Sequence, residues 1–220
     1  MPPRGPRTSM PPFRFYLITD DAHAATPAAT AMTLLPRLAA AGLRGVQVRE
    51  KHLSPRALAE HCAALLATLG DAKGGLHVYL NDRADIALSL GLTGAHLREE
   101  SLPLGQHAPA LRQALQFGVS THSVEGVLAA QEAGANFATF GPVFPTASKA
   151  AYGDPVGLRA LEEAAAQSTL PLFALGGVTP DRVPECLAAG AHGVAAISAI
   201  WNAPDPLAAL EAFGAALGGL

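Results

Sequence analysis

The stretch Ala40-Ala41-Gly42-Leu43-Arg44-Gly45-Val46-Gln47-Val48-Arg49-Glu50-Lys51 decides the fold. It reads as the apolar end of a helix, a glycine that lets the helix stop, and a short β-rich run that finishes in polar residues. The phrase returns as Glu132-Ala133-Gly134 and as Ala188-Ala189-Gly190, each followed within a few residues by another apolar run. A tight turn from helix into a parallel strand has this form. Working outward, strands are expected at residues 15–19, 45–49, 77–81, 94–97, 118–121, 137–140, 172–175 and 193–198. Helix-compatible stretches lie between them, at 28–41, 55–70, 83–89, 124–133, 158–166, 180–189 and 206–217. Ser54-Pro55 and Thr179-Pro180-Asp181 each offer a cap and a proline suited to a first helical turn, and Gly42, Gly70, Gly134 and Gly190 stand where helices should end. Strands alternating with helices predict a single (β/α)8 barrel over residues 13–220, closed by right-handed crossovers. The competing open doubly wound sheet would carry GxGxxG after its first strand, where this chain has Thr19-Asp20-Asp21.

Composition narrows the function classes. The 220 residues are 50% apolar and 15% charged, with a net charge of −3, so the chain can bury a core without disulfide or metal staples. It has no basic stripe for a nucleic-acid backbone. Cys62 and Cys186 lack metal-ligand spacing and read as buried free thiols. Residues 1–12 are Pro-rich without a signal-peptide core and read as a disordered tail, with Met10 a candidate downstream start. No run approaches the roughly 18 apolar residues of a membrane span, so no membrane association and a cytoplasmic location are expected.

In a barrel of this kind active sites are built at the carboxyl ends of the strands, and polar residues follow the strand runs here repeatedly. Alternation on the second strand points Gln47, Arg49 and Lys51 to one side and Val46 and Val48 to the other. With Lys149 they predict a cationic pocket for a phosphate or pyrophosphate; the bland alternative makes Arg49 and Lys51 solvated loop charges. Gly176-Gly177 and Ile197-Ser198 occupy positions where barrels bind phosphate through bare backbone N–H groups, although a Gly pair is equally a tight turn. Asp82 is either a Mg²⁺ ligand shared with substrate phosphates or a cap for the helix at Arg83. His122, just past Ser120-Thr121, is the first candidate for a general acid or base, against a buried structural histidine, and His96 is the second. His23, His52, His61, His107 and His192 read as surface or loop residues.

Six segments together resemble the thiamine phosphate synthase and thiazole tautomerase superfamily. They are residues 16–20 (YLITD), 47–51 (QVREK), 81–83 (NDR), 118–123 (GVSTHS), 141–149 (GPVFPTASK) and 174–180 (ALGGVTP). For a synthase, the resemblance implies attack of a thiazole phosphate on a hydroxymethylpyrimidine pyrophosphate, with Mg²⁺ on the departing pyrophosphate. Arg49, Lys51, Asn81 and Lys149 would hold pyrophosphate, Asp82 the metal, and Thr146 and Ser148 the thiazole phosphate, with Ser120 also lining the substrate site. Synthases usually carry Gly-Gln-Glu-Asp after the fourth strand, the Asp being the second metal ligand; this chain reads Arg98-Glu99-Glu100-Ser101, which leaves Glu99 or Glu100 to substitute from one position away. Ser101-Leu102-Pro103, Ser123 after His122, and Ser148-Lys149 with Tyr152-Gly153 and Pro155 instead resemble the tautomerase branch. That branch needs no metal and aromatises a thiazole carboxylate phosphate by proton transfer. Asp82 departs from its pattern. The expectation taken forward is the tautomerase type, with His122 and Lys149 catalytic and no cofactor, the synthase with Mg²⁺ being the alternative. A non-catalytic thiazole or thiamine phosphate-binding regulator is a minor third reading. The resemblance also makes a homodimer plausible.

Overall fold

In a computed structural model of the chain, which describes residues 10–20, 30–70, 74–146 and 154–220, eight strands close into one barrel in sequence order. They are β1 (Phe15–Ile18), β2 (Gly45–Val48), β3 (His77–Asn81), β4 (Gly94–Leu97), β5 (Gln116–Thr121), β6 (Phe137–Phe140), β7 (Leu172–Leu175) and β8 (Gly193–Ala196). Every neighbouring pair is parallel, and β8 pairs with β1 through Val194 and Phe15. The helices are α1 (Ala31–Ala40), α2 (Pro55–Leu69), α3 (Ala84–Ser89), α4 (Pro109–Ala114), α5 (Val124–Glu132), α6 (Gly157–Gln167), α7 (Val183–Ala188), α8 (Ser198–Trp201) and α9 (Pro206–Leu217). The fold expected from the repeated helix–glycine–strand phrase is the one found.

Local signals explain most boundaries. Gly42, Gly134 and Gly190 have φ of 109°, 86° and 87°, a region where a Cβ would clash, so each ends its helix cleanly. The Ser54 hydroxyl accepts the Ala57 N–H at 3.3 Å, capping α2. Thr179 does not repeat that device: its side chain makes no cap bond, and the expected helix 180–189 divides into a 3₁₀ turn at Pro180–Arg182 followed by α7. The six residues of α4 bury nothing, so no apolar stripe announced it. Among the described residues no helix is long and apolar enough to cross a membrane.

The strands divide their side chains in two. One register, including Leu17, Val46, Val48, Val78 and Leu80, packs beneath the helices. The other fills the barrel: Tyr16, Ile18, Tyr79, Phe137, Phe173 and Ala195, closed at the amino-terminal end by Phe13. The Phe13 ring lies 5.4 Å from Phe173 and 5.6 Å from Tyr16, centroid to centroid. Glycines on the facing strands make this possible. A Cβ at Gly45 would lie 2.4 Å from the Phe13 ring, and one at Gly118 would lie 2.5 Å from both His96 Nδ1 and Phe137. With the interior full, a site on the barrel axis falls at an end, and Phe13 closes the amino-terminal one. Gly118→Ala is therefore expected to cost about 1–3 kcal/mol by overpacking. Gly105→Ala, whose Cβ meets nothing, is the neutral control; denaturant midpoints at unchanged m-value compare them.

Candidate active site

At the carboxyl end of β1 the buried Thr19 hydroxyl donates a short hydrogen bond to Glu50 and accepts the Arg49 N–H at 2.9 Å. This pins the exit of β2. Gln47 is buried in the barrel, and Arg49 turns its guanidinium to 3.8 Å from Asp20. Val46 and Val48 face the helices as expected. The strand ends at Val48, however, so its alternation does not govern Lys51. Lys51 lies in the following turn and lines a cleft of about 340 Å³ together with Asn81, Asp82, Arg83 and Arg98. The expected convergence of Gln47, Arg49 and Lys51 is thus divided between the β1 side of the mouth and this cleft.

Asp82, at the exit of β3, has φ of 59°, the one positive value on a non-glycine among the described residues. Its carboxylate is what holds that conformation. Oδ1 accepts a short hydrogen bond from the Ser101 hydroxyl and the Arg98 N–H at 3.3 Å; Oδ2 accepts Arg98 Nε at 2.5 Å and Asn81 Nδ2 at 3.1 Å. Burial alone would raise its pKa, but the bonds from Ser101 and Arg98 outweigh it and hold the carboxyl below the usual range. Asp82 is not a helix cap: the N-cap of α3 is Arg83, whose guanidinium forks onto Asp85 at 2.8 and 2.6 Å. Arg98 and Ser101 were visible in the sequence only as departures from a family pattern. Their i, i+3 spacing in the loop beside β3 is the signal that they share a partner.

The two candidate histidines differ in kind. His96 is buried inside the barrel, its ring between the Tyr16 hydroxyl at 3.3 Å and Ser120 Oγ at 3.1 Å. Burial pushes its pKa down to about 3 against the opposing pull of Asp82, so it is neutral at neutral pH and unsuited to acid–base work there. The buried structural histidine of this mouth is His96, which corrects its place as second acid–base candidate. His122 is half-exposed; its Nδ1 makes a short bond to the Gly141 carbonyl, which can only accept. The proton therefore sits on Nδ1, leaving Nε2 as the basic nitrogen, 3.9 Å from Glu99. His192 is not a surface residue: it is half-buried below the barrel against the Phe13 carbonyl at 3.1 Å.

Gly176 and Gly177 both have positive φ, and a Cβ on either would strike the β6 loop, at Pro142 and at the Pro145 carbonyl, 2.5 Å away in each case. They are required by close loop packing. Ile197 and Ser198 begin the short α8, which is tied beneath β1 by Trp201 Nε1 donating to the Ile18 carbonyl at 2.6 Å. Thr146 ends the described part of the β6 loop, and Ser148 and Lys149 lie outside the described residues. Cys62 and Cys186 are free and buried, as expected, with burial raising both thiols to about 11.

Comparison with known proteins gives a consistent picture. The family model described as thiamine monophosphate synthase matches residues 15–200. A Geobacter sulfurreducens protein, provisionally named a thiamine-phosphate synthase, is 45% identical over 194 residues, 88% of this chain and 89% of its own. The thiamine-phosphate synthase of Methanoculleus marisnigri is 38% identical over 198 residues, 90% and 92% of the two chains. Among solved structures, thiamine phosphate pyrophosphorylase from Pyrococcus furiosus superposes with a TM-score of 0.78 at 26% identity, covering 93% of this chain and 95% of its own. These relatives overturn the expected tautomerase-type proton transfer, because they carry the name of the coupling enzyme.

The neutral His96 makes stability pH-dependent. Unfolded, it binds a proton below about pH 6.5; folded, not until about 3. Its contribution is present above 6.5 and lost as pH falls towards 3, roughly 2 kcal/mol by pH 5. His77 and His192, both lowered by burial, add to this acid slope. Denaturant unfolding at pH 7 and pH 5 is expected to lose about 2 kcal/mol less in His96→Gln than in the parent.

Proposed function

The chain belongs to the thiamine monophosphate synthase family, and from that premise we propose that this transferase joins a hydroxymethylpyrimidine pyrophosphate to a thiazole phosphate, releasing pyrophosphate. The observation that carries the reading is the cleft at the ends of adjacent strands lined by Lys51, Asn81 and Arg98, in a chain whose relatives are named for this coupling. In the reaction the thiazole nitrogen lone pair attacks the pyrimidine methylene. The new C–N bond forms, the C–O bond to pyrophosphate breaks, and its electron pair departs with the leaving group. No proton is lost by either partner. The protein's tasks are then alignment and neutralisation of growing negative charge.

We assign Arg49, Lys51, Asn81 and Lys149 to the pyrophosphate, and Thr146, Ser148, Gly176, Gly177, Ile197 and Ser198 to the thiazole phosphate. Gln47 and Ser120 face the heterocycles. His122 has no proton to take in this reaction and serves orientation. Synthases of this family generally depend on Mg²⁺, which would neutralise the departing pyrophosphate. The residues present do not fit a two-carboxylate Mg²⁺ site. Ser101 supplies no charge, the Asp82 oxygens already accept four hydrogen bonds, and among the described residues no three His, Cys, Asp or Glu side chains gather to hold a metal. No step of the mechanism is routed through the ion.

The test is incubation of the purified chain with both substrates, scoring thiamine phosphate directly; absence of product under all conditions would overturn the assignment. Arg49→Ala is expected to lower kcat/KM for the pyrimidine substrate about 10–100-fold, the worth of a hydrogen bond to a charged group. For His122→Asn, kcat is expected to stay within about tenfold of the parent's; a loss of about 100-fold or more would make His122 a proton-transfer group after all.

A further inference from the structure

The Asp82 cluster is more than a defective metal site. A carboxylate has about four lone-pair positions, and all four on Asp82 are occupied by groups of this chain, two of them from Arg98. The cluster closes on itself: Ser101 Oγ, which donates to Asp82, also accepts the Arg98 N–H at 2.9 Å. Arg98 is thereby rooted through its backbone and its Nε. Its Nη groups hydrogen-bond to no described residue, and the highly exposed Glu100 carboxylate is 3.8 Å from Nη1. The half-exposed Arg98 lines the cleft that Lys51 and Asn81 also line. A guanidinium anchored by Nε presents a fixed fork of donors matched to phosphate oxygens, which a freely rotating ammonium does not. The charge count also agrees. Two carboxylates around a divalent cation sum to zero, and so does one carboxylate beside one guanidinium.

We propose that Arg98, anchored by Asp82 and Ser101, binds the leaving pyrophosphate and takes the charge-neutralising place of a divalent cation, so that this chain holds pyrophosphate without Mg²⁺. The proposal rests on the synthase reading for the identity of the anion. It assigns to Asp82 the work of positioning an arginine rather than of ligating a metal.

Calorimetric titration of the full chain with inorganic pyrophosphate in excess EDTA, and again in millimolar Mg²⁺, tests it. Binding is expected in EDTA, with no tightening by Mg²⁺. Arg98→Ala is expected to weaken binding in EDTA tenfold or more, about 1.4 kcal/mol. Arg98→Gln, which keeps a donor for Asp82, should lose affinity similarly while retaining the parent's unfolding midpoint. That separates loss of the ligand from loss of the fold. Ser101→Asp combined with Arg98→Gln should make binding Mg²⁺-dependent by restoring a second carboxylate. Binding that requires Mg²⁺ in the parent, or that survives both Arg98 substitutions unchanged, overturns the proposal. The coupled assay in EDTA separates the two levels. Product only with Mg²⁺ defeats the Arg98 assignment and leaves the synthase reading intact. Metal-free pyrophosphate binding that depends on Arg98, without thiamine phosphate formation under any condition, supports the anion site and defeats the synthase reading.

Discussion

The aromatic plug inside the barrel is the constraint from which the rest of the molecule follows. Phe13, Tyr16, Tyr79, Phe137 and Phe173 stack edge to face and in tilted pairs with centroids 5.1 to 6.2 Å apart. Such pairs add about 0.5–1.5 kcal/mol each beyond the area they bury. Strands supplying these rings need small residues opposite them, which is why Gly45 and Gly118 fall inside strands, where glycine is otherwise unfavourable. The plug also sets polarity along the barrel axis. Gln47, His96 and Thr139 are buried polar side chains in the register of the plug, and each lies toward the carboxyl ends of the strands.

Above the plug, Arg49, Glu50 and Asp82 are each held by a residue from a neighbouring strand end. Register makes the pairing inevitable. Asn81 on β3 stands opposite His96 on β4, so the next residues, Asp82 and Leu97-Arg98, leave the sheet side by side. Thr19 and Glu50 meet in the same way at the β1–β2 seam. A positive φ at Asp82 costs of order 1 kcal/mol or more and persists only because the surrounding donors over-determine it. Strain of this kind at a strand exit is bound to the geometry of the site rather than to the stability of the barrel.

This division accounts for what the sequence made legible. Strand and helix positions came from period, caps and glycines, which act within a few residues, and the barrel followed from counting them. The observed ends differ mainly where strands leave the sheet, as at Val48 and Ala196. Site reading by alternation held for Gln47 and failed for Lys51, because pleating stops where hydrogen bonding stops. The sequence places His122 ahead of His96 without giving the reason. What separates them is the depth of His96 in the barrel against the rim position of His122, a tertiary property. The motifs located the family correctly and the branch incorrectly. The decisive local feature, Ser101 in place of a carboxylate, looked like the loss of metal chemistry and hence of the coupling reaction. Apart from the spacing of Arg98 and Ser101, nothing in the sequence tells that Arg98, three residues earlier, turns back onto Asp82.

The kinds of charge at the mouth suit the kind of reaction proposed for it. Coupling moves an electron pair and a pyrophosphate but no proton, so a site for it benefits from cations that do not titrate near neutrality. Guanidinium groups stay charged at any working pH. Beneath them His96 is kept neutral by burial despite the pull of Asp82, so no second charge competes for that carboxylate as pH varies through the neutral range. His122 stands on the β5 side of the rim, its Nε2 3.9 Å from Glu99. Fixed guanidinium charge is what the proposed transfer of a pyrophosphate without a proton calls for.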